Sequence, residues 1–299
     1  MPGRPPSRVA VIGAQGFIGA RLVSRLAAQG RPPASFTPSR PAVRDGVLDA
    51  AVRAARVIFY LAASVTSATA QGAPERTAGD VAAFTGLLDA LAAAGGRPTV
   101  VFTSSAMVYD AAAEPPYDES APTRADTAYA AAKLTMERAL TDRSPAVHPV
   151  LVRLATVYGP GPPRGVVAHW LTCLAMGQPL PVLGDLGIRR DYVYVDDVVD
   201  ALARIASAPP GRLPRVLNIG SGSPVSLRTL LREIGEVNGC PPPVRRQPGR
   251  AADRPALWLD IRAAAAALDW CPQTSLATGL NNTWRSLGSR TNPQSPIAP

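Results

Sequence analysis

The stretch "RVAVIGAQGFIGARLVSRLAAQG", residues 8–30, constrains this chain more than any other. An apolar run suited to a strand enters a glycine-rich turn and leaves as an amphipathic helix that stops at Gly30. Gly13, Gly16 and Gly19 fall in the spacing G-x-x-G-x-x-G. In such a turn the first glycine permits a tight bend, the second a close backbone approach to a pyrophosphate, and the third close packing of helix on strand. Phe17 and Ile18 lie between the last two glycines, where the helix N-terminus faces the phosphates. The pattern predicts a dinucleotide site.

Further apolar runs follow at residues 56–64, 99–109 and 149–159, separated by helical patterns at 79–94 and 126–142. Strands that are apolar almost throughout, alternating with helices, imply an α/β fold with a doubly wound parallel sheet of the Rossmann type. After residue 160 the chain turns rich in Pro and Gly, as in "GQPLPVLGDLG" and "GCPPPVRRQPGR". A smaller, loop-rich substrate-binding lobe is expected there. The expected division is a dinucleotide-binding domain over 1–162 and a substrate lobe over 163–299. The two interleave, because "VYVDDVVDALARIA" (193–206) and "RVLNIG" (215–220) read as a helix and a strand returning to the main sheet within about 192–222. The tail 289–299 reads as disordered.

Lys and Arg total 31 against 22 Asp and Glu, a net charge of +9. The arginines are scattered and form no block of like charge, so a nucleic-acid partner is not expected; small polyanions are. No uninterrupted apolar run of about 18 residues occurs, so no membrane span is expected. The start "MPGRPPSR" lacks an apolar signal core, so a cytoplasmic protein is expected. Cys173, Cys240 and Cys271 match no metal-ligand spacing and are expected to be reduced and structural, with no bound metal.

One of the 31 basic residues is lysine, Lys133 in "TAYAAAKL"; the other 30 (31 − 1) are arginines. A chain that writes its charges as Arg yet keeps one Lys needs a compact point charge there, with a pKa that shifts readily. Tyr129 lies four residues earlier, on the same face of a predicted helix. A neighbouring ammonium is expected to lower the tyrosine pKa and make it a general acid for a carbonyl or alkoxide oxygen. Ser104 and Ser105 end a predicted strand at the cofactor crevice, where a serine hydroxyl could bond the same oxygen.

The choice of dinucleotide is also legible. An NAD-selective site places an acid about 20 residues beyond the glycine turn, yet no acidic residue occurs in 1–44. "FTPSR" stands there, and Ser39 and Arg40 would welcome a 2′-phosphate. NADP(H) is expected in preference to NAD.

These residues, with "LAA" at 61–63, "SSAMVY" at 104–109, "RLATVYGPG" at 153–161, "RRDYVYVDDV" at 189–198 and "NIGSG" at 218–222, resemble the extended short-chain dehydrogenase/reductases. The nearest group is the nucleotide-sugar epimerase, dehydratase and ketoreductase branch. The resemblance implies that Ser105, Tyr129 and Lys133 are catalytic and that Lys133 also holds the nicotinamide ribose. It implies cofactor contacts from Leu61, Ala62 and Ala63, substrate contacts from Ser105, Met107 and Thr156, and diphosphate contacts from Arg190 and Arg250. His169, Trp170 and the loop 178–190 are further candidates for shaping the pocket.

Departures from the family narrow the reaction. Ala106 and Met107 replace the acids of the dehydratases, which excludes 4,6-dehydration. Thr156 replaces a frequent Asn, Asp80 replaces another, and Asp110 stands where Gly is usual. The expected activity is NADPH-dependent reduction of a nucleotide-diphospho-keto-sugar, a dTDP-4-keto-6-deoxyhexose foremost, with a homodimer as the expected assembly. The alternatives are a 4-epimerase with bound NAD and a non-catalytic dinucleotide sensor.

Overall fold

The computed structural model describes residues 8–67, 69–162, 165–249 and 254–288. Six strands form one sheet in the spatial order Val216–Ile219, His148–Leu154, Thr99–Ser105, Val57–Tyr60, Val9–Ile12, Ala34–Phe36. Every neighbouring pair is parallel. The strands are buried on both faces, which is why they read as continuous apolar runs. Val9, Val11, Phe59, Val101 and Val152 face one core with Leu22, Leu26, Val198 and Leu202 from the helices Phe17–Ala28 and Val195–Ser207. Ala10, Ile58, Val100 and Phe102 face the other with Phe84, Leu88, Met136 and Leu140 from the helices Pro74–Ala94 and Ala128–Asp142.

The helix Pro74–Ala94 starts five residues before the apolar pattern does, because Pro74 occupies its first turn, where a missing N–H costs nothing. By length and composition it could cross a membrane: 21 residues, with a mean hydropathy of 1.2. Here it packs Phe84 against Phe102 and Tyr60, with ring centroids 4.8 and 4.5 Å away.

The segment 193–206, read as one helix, is divided. Arg189–Tyr194 is a strand and Val195 begins the helix. That strand anchors a second, smaller sheet with Thr156–Tyr158, Pro224–Ser226 and Ala256–Leu257. Its core includes Trp170, Leu171, Tyr192, Leu230 and Leu280, drawn in part from the helices Gly165–Ala175, Leu227–Asn238 and Leu276–Gly288. Asp191, fully buried, ties the two sheets together. It accepts hydrogen bonds from Ser221 N and Oγ (both 2.7 Å), Gly222 N (3.2 Å) and Leu259 N (3.3 Å). Of the cysteines only Cys173 is buried; Cys240 and Cys271 are exposed, so a core role fits the first alone. The tail 289–299 lies outside the described residues.

Candidate active site

The strand order reverses between Val9–Ile12 and Val57–Tyr60, since the chain passes from Ala34–Phe36 back over the first strand to the third. Ligands bind at such a switch point, beyond the carboxyl ends of the strands. Gly13 and Leu61 leave those ends side by side. Gly13 has φ +87°, and a Cβ on it would lie 2.7 Å from Ala62 N. A Cβ on Gly19 would overlap the Gly13 carbonyl oxygen. At Gly16 only that carbonyl, at 3.1 Å, would be met, which leaves an open cradle. The helix Phe17–Ala28 begins directly after Gly16 with no side-chain cap and no acid in its first turn. Among the described residues no side chain takes its first N–H groups, which leaves them to an anion, and the residues present fit a dinucleotide pyrophosphate.

At the end of Thr99–Ser105, Ser105 Oγ accepts the Met107 N–H at 3.2 Å, capping the short turn Ala106–Val108. Its hydroxyl also hydrogen-bonds Tyr129. Tyr129 sits in the first turn of Ala128–Asp142, where Thr127 Oγ1 accepts the Ala130 N–H at 3.1 Å. One turn later Lys133 is 7% exposed. Its Nζ donates to the Thr103 carbonyl at 2.9 Å and stands 4.7 Å from the Phe102 ring centroid and 5.8 Å from that of Tyr129. The structure therefore brings Ser105, Tyr129 and Lys133 together.

The charge states differ from expectation. Burial raises the Tyr129 phenol above its ordinary value, the Ser105 hydrogen bond lowers it and Asp80 raises it, for a net rise. Contrary to the expected lowering by Lys133, that ammonium is turned to the Thr103 carbonyl, and burial dominates. Burial also pulls Lys133 itself down to about 8, against the opposing pull of Asp80 and Glu137.

Beneath this trio lies a network the sequence reading missed. Glu137, one turn beyond Lys133, accepts from Arg153 Nε (3.2 Å) and an Arg153 terminal nitrogen (2.7 Å) in a buried pair. The Arg153 guanidinium covers the Tyr109 ring at 4.8 Å, and Tyr109 donates to Asn218 Oδ1 at 2.7 Å. The helix carrying Tyr129 and Lys133 is thereby fixed across the sheet to the strand Val216–Ile219. One signal was available: a lone Arg inside the apolar run "PVLVRLATVYG" needs a buried partner.

Beside the glycine turn, Phe36 O accepts the N–H groups of Gly13 and Ala14, both at 3.1 Å, so the strand Ala34–Phe36 ends against it. The next residue, Thr37, begins the turn that carries Ser39 and Arg40. Its Oγ1 bonds Ser39 Oγ at 3.0 Å. The Arg40 guanidinium lies 5.1 Å from the Phe36 ring centroid and 3.8 Å from an Asp49 carboxylate oxygen.

The substrate candidates divide. Met107 is partly buried, and its carbonyl accepts from the buried Arg254 at 3.0 Å. Thr156 follows Leu154, the register partner of Ser105, by two residues. Arg190 shares the small sheet with Thr156, and its side chain donates to the Arg189 carbonyl at 2.9 Å. Arg250 lies outside the described residues. Trp170 is core, 1% exposed with Nε1 donating to Pro181 O at 2.8 Å, and His169 is exposed on the same helix. Asp110 is a turn residue whose Oδ1 accepts the Ala112 N–H at 2.9 Å.

The NAD dependent epimerase/dehydratase family matches residues 9–220. The UDP-glucose 4-epimerase of Mycolicibacterium smegmatis is 32% identical, with 92% of this chain and 97% of that protein covered. The dTDP-6-deoxy-L-talose 4-dehydrogenase (NAD(P)(+)) of Kitasatospora kifunensis is 29% identical, with 95% and 96% covered. Among solved structures, MoeE5 in complex with UDP-glucose and NAD superposes with a TM-score of 0.85 at 28% identity, covering 95% of this chain and 99% of that one. The chain therefore belongs to the NAD-dependent epimerase/dehydratase family of extended short-chain dehydrogenase/reductases, and is an enzyme of NAD(P)-dependent oxidoreductase type.

Proposed function

We propose that this enzyme is an NADPH-dependent ketoreductase of a nucleotide-diphospho-keto-sugar, with a dTDP-4-keto-6-deoxyhexose as the foremost substrate. The observation that carries the reading is the turn after Ala34–Phe36, which presents Thr37, Ser39 and Arg40, with no acidic residue in the sequence before Asp45. The Kitasatospora relative, a dTDP-6-deoxy-L-talose 4-dehydrogenase (NAD(P)(+)), supports it.

The dinucleotide, when bound, supplies hydride to the keto carbon. Gly13, Gly16, Gly19 and the first turn at Phe17 and Ile18 would hold its pyrophosphate, Ser39 and Arg40 its 2′-phosphate, and Leu61, Ala62, Ala63 and Lys133 its nicotinamide half. Tyr129 gives its proton to the oxygen that was the carbonyl, and Ser105 orients that oxygen. A raised phenol pKa keeps Tyr129 protonated through neutral pH, the state that a reductase needs. Met107, Thr156, Arg190 and Arg250 are assigned to the sugar nucleotide.

The location proposed is cytoplasmic and the assembly a homodimer. The exposed small residues Ala78, Gly79, Ala82, Gly86 and Ala93 on Pro74–Ala94 suit close packing of a second copy.

A second reading, a 4-epimerase recycling bound NAD, is favoured by the nearly full-length likeness to the Mycolicibacterium enzyme. Releasing the nucleotide retained on purification and offering NADPH with a panel of nucleotide keto-sugars tests between them. Net NADPH oxidation with one of them is expected. Retained NAD and interconversion without net oxidation would establish the epimerase.

A further inference from the structure

Asp80 faces the cleft that Tyr129 and Lys133 share, with Thr77, Ala62 and Ala63 among the other residues of its wall. Its Oδ2 accepts the Ser64 N–H at 2.8 Å, so the carboxylate is hung from the segment that leaves Tyr60 and passes Leu61–Ala63. Among the described residues no cation comes within 4.0 Å of that carboxylate, Lys133 included. The two charges therefore act across the cleft and not in contact.

Among the described residues, the groups that face Lys133 can be named. Its own helix presents Tyr129 and Glu137, the strand Thr99–Ser105 presents the Thr103 carbonyl and the Phe102 ring, and Pro74–Ala94 presents Asp80. Tyr60, on the neighbouring strand, also feels Asp80. Glu137 is bound at both oxygens to Arg153, so its charge is balanced locally. Among the described residues Asp80 has only a neutral N–H for a partner, and of the two carboxylates it acts more strongly on Lys133.

We propose that Asp80 is a positioning residue: its carboxylate, held by the Ser64 N–H, keeps the buried Lys133 ammonium charged and thereby sets the alkaline limit of the enzyme. The link to activity rests on the role given to Lys133 above; the hold on Lys133 does not. The sign follows from the charges. Burial favours neutral Lys133, Asp80 favours the ammonium, and removing Asp80 lets the proton leave at lower pH.

Lys133 is the only lysine in the sequence, so it can be watched alone. In protein grown with lysine labelled at the ε-carbon, a single resonance reports its titration. Asp80→Asn keeps an acceptor for the Ser64 N–H and removes the charge. The expected result is a fall in the Lys133 midpoint of about one unit, the low end of what a nearby opposite charge contributes. The falling alkaline limb of kcat should move down equally, with activity near pH 6 within a few-fold of the parent. An unmoved Lys133 resonance would overturn the proposal, whatever the activity does. So would a loss of activity equal at all pH values with the Lys133 midpoint unchanged, since that marks a merely structural residue. A shifted resonance with an unshifted activity profile would uphold Asp80's hold on Lys133 and overturn instead the role of Lys133 in the reaction.

Discussion

Lys133 and Arg40 are both cations at the carboxyl edge of the sheet, yet Lys133 is 7% exposed while 59% of the Arg40 side chain is in solvent. Lys133 sits on a rigid helix, its Nζ on a strand carbonyl at 2.9 Å, with a buried ion pair one turn away. Arg40 rides a turn after a three-residue strand, and its partner Asp49 is 3.8 Å away. Burial makes each polar atom at the first end depend on one partner, so substitutions there should break the chemistry. Exposure at the second end leaves room to adjust, so substitutions there should retune selectivity alone.

The largest effect is expected at the buried end. Tyr129→Phe should lower kcat by about 10²–10⁴-fold, the usual contribution of general acid–base catalysis. Thermal melting and NADPH binding should be nearly unchanged. Turnover within a few-fold of the parent would show that Tyr129 is not the acid.

The buried pair tests whether rigidity at this end is structural. Arg153→Met strands the Glu137 carboxylate in the core and should cost about 3–5 kcal/mol in denaturant unfolding. A loss below about 1 kcal/mol, the range of exposed pairs, would mean that the helix bearing Tyr129 and Lys133 is held by packing alone.

Lys133→Arg keeps the charge but forces a planar guanidinium into a space filled by Phe102 and the Thr103 carbonyl. Overpacking of this kind costs about 1–3 kcal/mol. Activity and cofactor binding should fall together. A fully active variant would remove the reason given for the single lysine.

Much of this contrast was legible in the sequence, for physical reasons that differ by region. The glycine turn was readable because three glycines answer to local constraints: a positive φ at Gly13 and a forbidden Cβ at Gly19. Ser105, Tyr129 and Lys133 were readable because helix periodicity puts positions 129 and 133 on one face. The Glu137–Arg153 pair was not, since it joins residues 16 apart through tertiary packing. The direction of the Tyr129 shift was missed for the same cause: burial is a property of the fold, and it outweighed the neighbouring charge. Thr156–Tyr158, Pro224–Ser226 and Ala256–Leu257 are only two or three residues long, too short for a period to show. Trp170 looked like a pocket residue because an aromatic side chain reads alike in a core and at a ligand.

The smallest effect is expected at the exposed end. Arg40→Ala removes one charge-assisted contact, and hydrogen bonds to charged groups contribute about 1.5–3 kcal/mol. NADPH binding should weaken by roughly tenfold or more, while NADH binding should barely move, having no 2′-phosphate. Calorimetric titration of both cofactors against both proteins measures this. Equal losses for the two would assign Arg40 to the fold, through Phe36 and Asp49.

Whether net hydride reaches the sugar decides the central claim. The direct measurement is to supply NADPH carrying deuterium at the transferred position, together with a dTDP-4-keto-6-deoxyhexose, and weigh the product. A reductase gives one deuterium per sugar, bound to the former keto carbon, with one NADP⁺ formed for each. Product lacking deuterium, with the label still on the cofactor and tightly held NAD recovered from the protein, would contradict it and identify an epimerase.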